Sequence, residues 1–400
     1  MTGSIQDKGR PLPIRHDLAG FAIPASAPGV LLIDLAALAR NYAKLCDLAA
    51  PAECAAVVKG DGYGLGIARI GAGLATAGCR TFFVATLAEA VALRGAVPEA
   101  MIYVLDGLFP GCGPDFAAHQ LQPVLGSIDE IVEWSAFCRQ TRLPAAIHVD
   151  TGMNRLGLKA ADRRVLNSRP NMLEGFPVSL LMSHLACADT PDHPKNAAQR
   201  QDFAAFVKLV PQTRLSLANS AGIFLGPAFH FDLVRPGIAL YGGNPFAGLP
   251  NPMEPVISLY GRIAQVGDAE AGETMGYGGA LQLKRRTRYV TVSTGYADGY
   301  VRLLGSSDAR SGALAHIGDL PLPILGRVSM DLIMFDVTDI PPELTLRGGW
   351  VELIGPRFTV DNAAALAGTI GYEILTSLGS RYHRIYISET NETPPAGGSG

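Results

Sequence analysis

Eight short apolar runs alternate with alanine- and leucine-rich stretches over the first two thirds of the chain. Strands that are buried on both faces of a sheet appear in sequence as continuous apolar runs. The runs lie about 20 to 36 residues apart, which leaves room for one crossover helix between consecutive strands. They are AAVVK ending at Lys59, TFFVAT near Phe83, MIYVLDG near Val104, QPVLGS near Val124, AAIHVDTG near Val149, SLLMSHLA near Met182, RLSLANS near Leu217 and IALYGG near Leu240. We therefore predict an α/β fold with an N-terminal (β/α)8 TIM-type barrel.

The sequence pattern changes after about Pro255. Segments such as VISLYGRIAQV and RYVTVSTGYADGY alternate apolar and polar residues, and turns rich in glycine, aspartate and proline separate them, as in an all-β domain. We therefore expect an N-terminal extension over 1–28, a barrel over 29–255, a C-terminal all-β domain over 256–389 and a disordered tail over 390–400. The early stretch VLLIDLAALARNYAKL would supply a strand and a helix that lead into the barrel.

Composition argues against several classes of protein. The 400 residues are 48% hydrophobic and 17% charged, with a formal net charge of -3. The chain has neither the basic excess of nucleic-acid-binding proteins nor an uncharged apolar run of about 18 residues that would span a membrane. Its N-terminus lacks the apolar centre of a secretory signal, and its six cysteines are scattered. We therefore expect a globular cytoplasmic protein that binds neither nucleic acid nor membrane.

Polar and charged residues follow the predicted strands at their C-terminal ends, where barrel enzymes hold their active sites. They are Lys59 after the first strand, Asp150 and Arg155 after the fifth, His184 after the sixth, Asn219 and Ser220 after the seventh, and Arg235 entering the eighth. The segments LANSAG and VRPGIALYG supply small residues and free backbone amides, which commonly bind phosphate. A lysine that faces a phosphate site suggests pyridoxal phosphate, bound to Lys59 as a Schiff base. The glycine-rich turn in VVKGDGYGLG would let the backbone and Tyr63 close around that cofactor.

Eight motifs, in order, resemble those of alanine racemases, which are fold-type III pyridoxal phosphate enzymes. The motifs are AVVKGDGYGLG, HVDTGMNRLG, SHLACAD, LANSAG, VRPGIALYG, MGYGGAL, TGYADGY and GRVSMDL. The resemblance, which covers roughly 29–386, implies a barrel joined to a β domain and a head-to-tail homodimer with composite active sites. It also implies interconversion of L-alanine and D-alanine by two-base proton transfer on a pyridoxal phosphate aldimine, supplying D-alanine for peptidoglycan synthesis.

The resemblance also implies a role for each site residue. Lys59 would be the Schiff-base lysine and one catalytic base, and Tyr277 would be the second base, contributed across the dimer interface. Arg235 would face the pyridine nitrogen, with His184 hydrogen bonded behind it. The remaining implied residues are Tyr63, Asn219, Ser220, Gly237 and Ile238 for the cofactor, Arg155 and the backbone of Met330 for the substrate carboxylate, and Tyr296 for the entry channel.

These residue types suit racemisation. The substrate Cα loses its proton from one face and receives one on the other, so two bases must stand on opposite sides. Lysine and tyrosine can act in this way only if their pKa values are lowered from about 10. An arginine at the pyridine nitrogen cannot accept that nitrogen's proton. The carbanion is then less stabilised and is reprotonated sooner, which limits side reactions.

Two positions depart from the commonest pattern of the family. The position before VDTGM is often a lysine whose carboxylated form helps to hold the substrate-binding arginine, whereas this chain has His148. What orients Arg155 is therefore an open question. The phosphate-binding tyrosine of some relatives aligns with Ser380, and we expect no phosphate contact from that residue.

Two motifs allow other interpretations. His184, Cys187, Asp189 and His193 have a spacing loosely compatible with a metal, but the pattern matches no recognised zinc site and we expect no metal. The stretch GAGLATAG, residues 71–78, partly imitates a dinucleotide-binding loop, yet it lacks the third glycine and follows no strand. We therefore predict a helix there.

Two function classes besides alanine racemase stay open. The first is another pyridoxal phosphate enzyme of the same fold, either a broader amino-acid racemase or a decarboxylase. A decarboxylase would usually place an acidic residue at the pyridine nitrogen, where this chain has Arg235. The second is a non-catalytic pyridoxal phosphate carrier, which in known relatives is a barrel alone. The β domain and Tyr277 argue against a carrier.

Overall fold

A computed structural model describes residues 18–388 except 140, 208, 209 and 211. It contains a parallel sheet in the N-terminal part and a mainly antiparallel sheet in the C-terminal part. The strands are β1 (Gly29–Asp34), β2 (Glu53–Cys54), β3 (Ala56–Val57), β4 (Thr81–Val84), β5 (Met101–Val104), β6 (Gln122–Leu125), β7 (Ala145–His148), β8 (Val178–Met182), β9 (Arg214–Ser216), β10 (Leu233–Val234), β11 (Ile257–Ala269), β12 (Thr274–Met275), β13 (Leu281–Gln282), β14 (Thr287–Val292), β15 (Leu314–Ile317), β16 (Leu320–Pro323), β17 (Ile333–Asp336), β18 (Trp350–Ile354) and β19 (His383–Ile387). The helices are α1 (Leu35–Ala49), α2 (Lys59–Tyr63), α3 (Ile67–Thr76), α4 (Leu87–Ala96), α5 (Gly113–Ala118), α6 (Ile128–Phe137), α7 (Ala160–Ser168), α8 (Pro194–Val207), α9 (Ser220–Ile223), α10 (Val360–Ala367) and α11 (Gly371–Thr376).

The parallel strands close into a barrel. Strands β3 to β9 form one parallel sheet in chain order. Strands β2 and β3 are one extended segment interrupted only at Ala55, and β2 pairs in parallel with β10. A bridge between Asn219 and Arg235 joins the ends of β9 and β10. The predicted (β/α)8 barrel is confirmed.

The eighth strand lies earlier in the chain than we predicted. It is β10, Leu233–Val234, whereas the run IALYGG near Leu240 forms a 3₁₀ helix over Ile238–Tyr241. Every side chain of that helix is buried, and an apolar run that is buried on all sides has the same sequence pattern in a helix as in a strand. Pro236 lacks a backbone N–H and so cannot donate in a continuing strand ladder. Arg235 therefore follows the eighth strand instead of entering it.

Strand β1 belongs to the C-terminal sheet, although α1 after it contacts the barrel strand β2. It pairs antiparallel with β11 through the register Gly29–Gly261, and parallel with β19 through the register Val30–His383. The sheet order is β16-β15-β18-β11-β1-β19; in addition, β14 pairs with β11, and β17 pairs with β14. The early strand therefore links the two parts of the chain.

The C-terminal part is mainly antiparallel sheet, which confirms the predicted β domain, and it also contains helices α10 and α11, which were not predicted. Thr359 caps α10 through a reciprocal side-chain and backbone pairing with Asn362, and Gly368 ends the helix in the left-handed conformation. These cap residues were visible in the sequence.

Two further findings concern the helices. The stretch GAGLATAG is helical over Gly71–Thr76 within α3, which confirms the prediction for that part. Among the helices in the described ranges, none has both the length and the apolar character needed to cross a membrane.

Candidate active site at the barrel mouth

Lys59 stands at the C-terminal end of the first barrel strand. Val58, the preceding residue, donates its backbone N–H to a carbonyl of β4 at 2.9 Å and so continues the strand pairing up to the lysine. Burial and the nearby Arg155 lower the pKa of Lys59, while Asp106 and Glu89 act in the opposite direction. A lysine with a lowered pKa is uncharged in a larger fraction of molecules, and it can then act as a nucleophile or base.

The segment given above as α2 is, after Lys59, a left-handed turn. The φ angles of Gly60, Asp61, Gly62 and Tyr63 are 64°, 54°, 65° and 56°. This conformation costs an L-amino acid about 1–2 kcal/mol per residue, whereas glycine adopts it freely. The handedness of the backbone therefore explains why glycine recurs directly after the lysine.

The turn places Tyr63 against the predicted phosphate-binding residues. The Tyr63 ring stacks on Tyr241 with centroids 4.3 Å apart, and a Cβ on Gly237 would collide with the Tyr63 hydroxyl. The Gly237 N–H donates to Ser220 Oγ at 2.8 Å. Ile238 begins the following 3₁₀ helix, where the first N–H groups have no intrahelical acceptor. Tyr63, Ser220, Gly237 and Ile238 are therefore brought together, and they offer the hydroxyl and amide donors that suit a phosphate.

Asn219 has a structural contact that the sequence did not indicate. Its Oδ1 accepts from the Gly222 N–H at 2.9 Å and caps α9, and its Nδ2 donates to the Leu185 carbonyl at 3.4 Å. The side chain thus fixes the loop that carries Ser220.

Arg235 is buried, with 3% of its surface exposed. Its guanidinium donates to the Ser183 carbonyl at 2.6 Å, to the Leu217 carbonyl at 3.4 Å and to the Ser216 hydroxyl. These acceptors are neutral, so no carboxylate offsets the buried charge, and burial lowers the pKa of Arg235 to about 9. The side chain is held rigidly by neutral groups and keeps its positive charge at neutral pH.

Two histidines lie beside this arginine. Burial and the charge of Arg235 lower the pKa of His148 to about 4 and move the pKa of His184 well below its ordinary value. Both imidazoles are therefore neutral at pH 7. Between the described side chains of His184 and Arg235 there is no hydrogen bond, contrary to our expectation, because the guanidinium is directed to Ser183, Leu217 and Ser216.

Arg155 lies on the loop between β7 and α7, and the backbone of this loop is tightly held. The Asp150 carboxylate accepts the N–H groups of Gly152, Met153 and Asn154 at 2.9, 2.9 and 3.1 Å. Burial raises the pKa of Asp150, but these donors outweigh it and the pKa is lowered. The ionised carboxylate therefore shapes the loop, while Arg155 itself is exposed.

Gln199 of α8 ties this loop to the end of β8. Its Nε2 donates to Thr151 Oγ1 at 3.2 Å and to the His184 carbonyl at 2.9 Å, and its Oε1 accepts from the Ala186 N–H at 2.8 Å. Thr151 Oγ1 also lies 2.7 Å from Ser183 Oγ. All polar atoms of the Gln199 amide are thus used to hold the two loops together.

Three predicted residues lie on loops of the C-terminal part. Tyr277, Tyr296 and Met330 have 70%, 42% and 53% of their surface exposed. The Tyr296 N–H donates to the Ser329 carbonyl at 3.0 Å, and the Met330 carbonyl accepts from the Ala297 N–H at 3.0 Å. Tyr296 and Met330 therefore belong to one local unit, whose aromatic and methionine side chains face outward in this single chain.

Arg381 stabilises the unit that contains Tyr296 and Met330. It donates to Asp298 Oδ1 at 2.5 Å and to Asp331 Oδ1 at 2.7 Å, one carboxylate from each of the two loops. Asp298 Oδ2 also accepts from the Gly295 N–H at 2.9 Å. The motifs TGYADGY and GRVSMDL are thus joined by ion pairs.

Several contacts around the site were not predicted from the sequence. Tyr372 of α11 lies beside Tyr63 with ring centroids 5.9 Å apart, whereas Ser380 is exposed. Ser216 and Gln199 were missed because their partners come from distant segments. Glu89 had a visible signal, since TLAE is a capping box. As for a metal, the described residues contain no cluster of three or more histidine, cysteine, aspartate or glutamate side chains suited to hold one.

Comparisons with known proteins agree with this geometry. A family model for the alanine racemase N-terminal domain matches residues 33–245, and one for the C-terminal domain matches 256–386. The chain is 51% identical over 359 residues to an alanine racemase from Methylobacterium sp. (strain 4-46), covering 89% of this chain and 97% of that protein. It is 47% identical over 374 residues to a catabolic alanine racemase from Mesorhizobium japonicum, covering 92% and 96%.

Solved structures give the same result. The crystal structure of alanine racemase from Bartonella henselae with covalently bound pyridoxal phosphate has a TM-score of 0.84 and 39% identity, covering 90% of this chain and 100% of that one. The biosynthetic alanine racemase from Pseudomonas aeruginosa has a TM-score of 0.82 and 34% identity, with the same coverage. Both domains match the family models and the identities extend over about nine tenths of the chain, so the chain belongs to the alanine racemase family of enzymes.

Proposed function

We propose that the chain is an alanine racemase that interconverts L-alanine and D-alanine with pyridoxal phosphate bound covalently to Lys59. The observation that carries this proposal is the pairing of two features in one barrel mouth. A lysine whose pKa is lowered by burial directly follows the first barrel strand and its extension at Val58. Hydroxyl and amide donors suited to a phosphate meet at Tyr63 and Gly237.

The residues fit pyridoxal phosphate. Tyr63, Ser220, Gly237 and Ile238 would hold the phosphate through neutral donors. Burial raises the pKa of Tyr63 and keeps its hydroxyl protonated, so it can donate. When bound, pyridoxal phosphate stabilises the negative charge that develops at the substrate Cα. Arg235 would face its pyridine nitrogen.

Each catalytic group has a distinct task in this proposal. The Lys59 Nζ takes or returns the Cα proton on one face of the substrate, and the Oη of Tyr277, contributed by the second subunit, does so on the other. Arg155 binds the substrate carboxylate together with the backbone of Met330, and Tyr296 lines the entry channel. The charge of Arg155 also favours the uncharged amine of Lys59.

We further propose a homodimer with composite sites and a cytoplasmic role in supplying D-alanine for peptidoglycan. The exposed Tyr277, Tyr296 and Met330 support the composite site, because large exposed apolar side chains favour association. All six cysteines are free, as is usual in a reducing compartment.

Borohydride reduction followed by peptide mapping tests the proposal. A pyridoxyl group should appear on Lys59, and purified enzyme should racemise L-alanine. Serine, lysine and arginine, assayed beside alanine, measure substrate breadth and distinguish a broader racemase. A label on another lysine, or bound cofactor without racemisation, would contradict the proposed function.

A further inference from the structure

The left-handed turn at residues 60–63 requires support from outside itself. Asp61 and Tyr63 have positive φ angles of 54° and 56° although neither is glycine. Such a conformation persists only where surrounding contacts determine it. The turn directly follows Lys59 and includes Tyr63, so whatever supports it also fixes two proposed cofactor-binding residues.

Glu89 supplies contacts to this turn from another element. Its Oε1 accepts the N–H groups of Gly60 at 2.6 Å and Asp61 at 3.2 Å. Its Oε2 accepts those of Ala85 at 2.9 Å and Thr86 at 3.3 Å, directly before α4. One carboxylate thus joins the turn after the first barrel strand to the helix that follows the second.

The carboxylate form is needed for this arrangement. Four backbone donors converge on the two oxygens, and an ionised carboxylate is the side chain that accepts on both without donating. A glutamine would direct its NH₂ group towards one pair of N–H donors. Glu89 also acts on the lysine through its charge, because it and Asp106 raise the pKa of Lys59 against the effects of burial and Arg155.

We propose that Glu89 is a positioning residue for Lys59, which by holding the Gly60 and Asp61 N–H groups sets how fast the lysine bonds to pyridoxal phosphate. In that step the uncharged amine bonds to the aldehyde carbon, and the aldehyde oxygen leaves as water with both amine protons. This inference rests on the proposed function, since it assumes that Lys59 is the residue that binds the cofactor.

The test compares apoenzyme variants mixed with pyridoxal phosphate, followed by visible absorbance at several pH values. Glu89→Gln should slow covalent binding about tenfold at high pH, where Lys59 is uncharged in both proteins, the size expected from losing one charge-assisted hydrogen bond. Loss of the charge alone would have the opposite effect, because it lowers the pKa of Lys59 and leaves more uncharged amine at neutral pH. Hydrogen exchange of the peptide 58–66 should also become faster.

Thr86→Ala is the matched control. It removes the hydroxyl that accepts from the Glu89 N–H at 3.2 Å in the same helix cap, but leaves the contacts to the turn. It should keep wild-type binding kinetics and wild-type exchange in 58–66. Glu89→Asp keeps the negative charge but has a shorter side chain, so it should also slow cofactor binding. If Glu89→Gln does not fold, Glu89→Asp provides the test of the proposal.

Two outcomes are distinguishable. If the wild-type protein forms no borohydride-stable bond at Lys59, the proposed function fails. If it does form that bond, and folded Glu89→Gln or Glu89→Asp binds the cofactor as fast as Thr86→Ala, Glu89 does not position the lysine.

Discussion

Positive charge at the barrel mouth is carried by arginine, because the histidines beside it are held neutral. Arg235 is buried among carbonyl and hydroxyl acceptors, and its charge, together with burial, lowers the pKa values of His148 and His184. His148 therefore supplies no anion to Arg155, which answers part of the question raised by the missing lysine. The Asp150 carboxylate shapes the loop instead.

We expect His148 to make the protein less stable in acid. Its pKa is about 4 in the folded chain and about 6.5 when unfolded, so the unfolded state binds more protons between these values. The stabilisation is complete above about pH 6.5 and is lost as the pH falls towards 4. The difference in the free energy of unfolding between pH 7 and 4.5 should be smaller by about 2–3 kcal/mol in His148→Asn.

Urea unfolding at the two pH values measures this difference. The exposed His193 provides the control, and His193→Asn should retain the wild-type loss of stability. An equal loss in His148→Asn and wild type would show that the His148 imidazole is protonated in the folded protein.

At the scale of single residues, the sequence motifs identified the candidate side chains but not all of their partners. Lys59, Tyr63, Ser220 and Arg235 were found from their position after apolar runs. Ser216 was missed because a serine inside a strand carries no periodic signal. Only the folded barrel shows that its hydroxyl accepts from Arg235.

At the scale of elements, the loop between β7 and α7 is held in place by a side chain of helix α8. Gln199 binds both this loop and the end of β8. Gln199→Met has a similar length but cannot donate or accept, so Thr151 would lose its partner on α8. Because the loop carries the proposed carboxylate-binding Arg155, we expect KM for alanine to rise about 5- to 20-fold while bound cofactor is unchanged.

Steady-state kinetics with both kcat and KM, beside the absorbance of bound cofactor, check this expectation. Asn196→Ala is the control, because Asn196 is buried on the same helix but donates only to the Thr190 and Pro191 carbonyls. A fall in kcat with KM unchanged would mean that Gln199 does not act through Arg155.

Apolar runs were predicted correctly as strands where they are buried in the barrel. The same prediction failed for one run that is equally buried but folds as a 3₁₀ helix. The run at Ile238–Tyr241 and residues 180–182 of β8 are both buried and apolar, so hydrophobicity alone does not separate them. The helices α10 and α11 were missed because the preceding strands suggested that the alternating pattern continued.

The whole molecule places the two proposed bases on different parts of the chain, and subunit mixing tests how they combine. Neither Lys59→Ala nor Tyr277→Phe should racemise alanine well alone, because each lacks one base in both sites of its homodimer. In a mixed dimer with composite sites, one site carries both defects and the other carries none. Random mixing should therefore restore about a quarter of wild-type activity, since half of the dimers are mixed and half of their sites are intact.

Racemisation after co-expression of the two variants measures this recovery. The control is an equal mixture of wild-type subunits with subunits that carry both substitutions. Its mixed dimers have no intact site, so activity should fall from about a half to about a quarter of the wild-type level as exchange becomes complete. If mixed dimers form and activity stays at the level of the separate variants, Tyr277 does not act across the interface.

The position of β1 affects how the chain is made. β1 pairs with β19, so its last partner leaves the ribosome about 350 residues later, which takes roughly 20–70 s at ordinary rates of synthesis. Until then at least one edge of the apolar segment GVLLI, residues 29–33, is unpaired, and the segment resembles the short apolar strands that aggregate. We therefore expect a chaperone or the chain's own barrel to cover the first strand until β19 has been made.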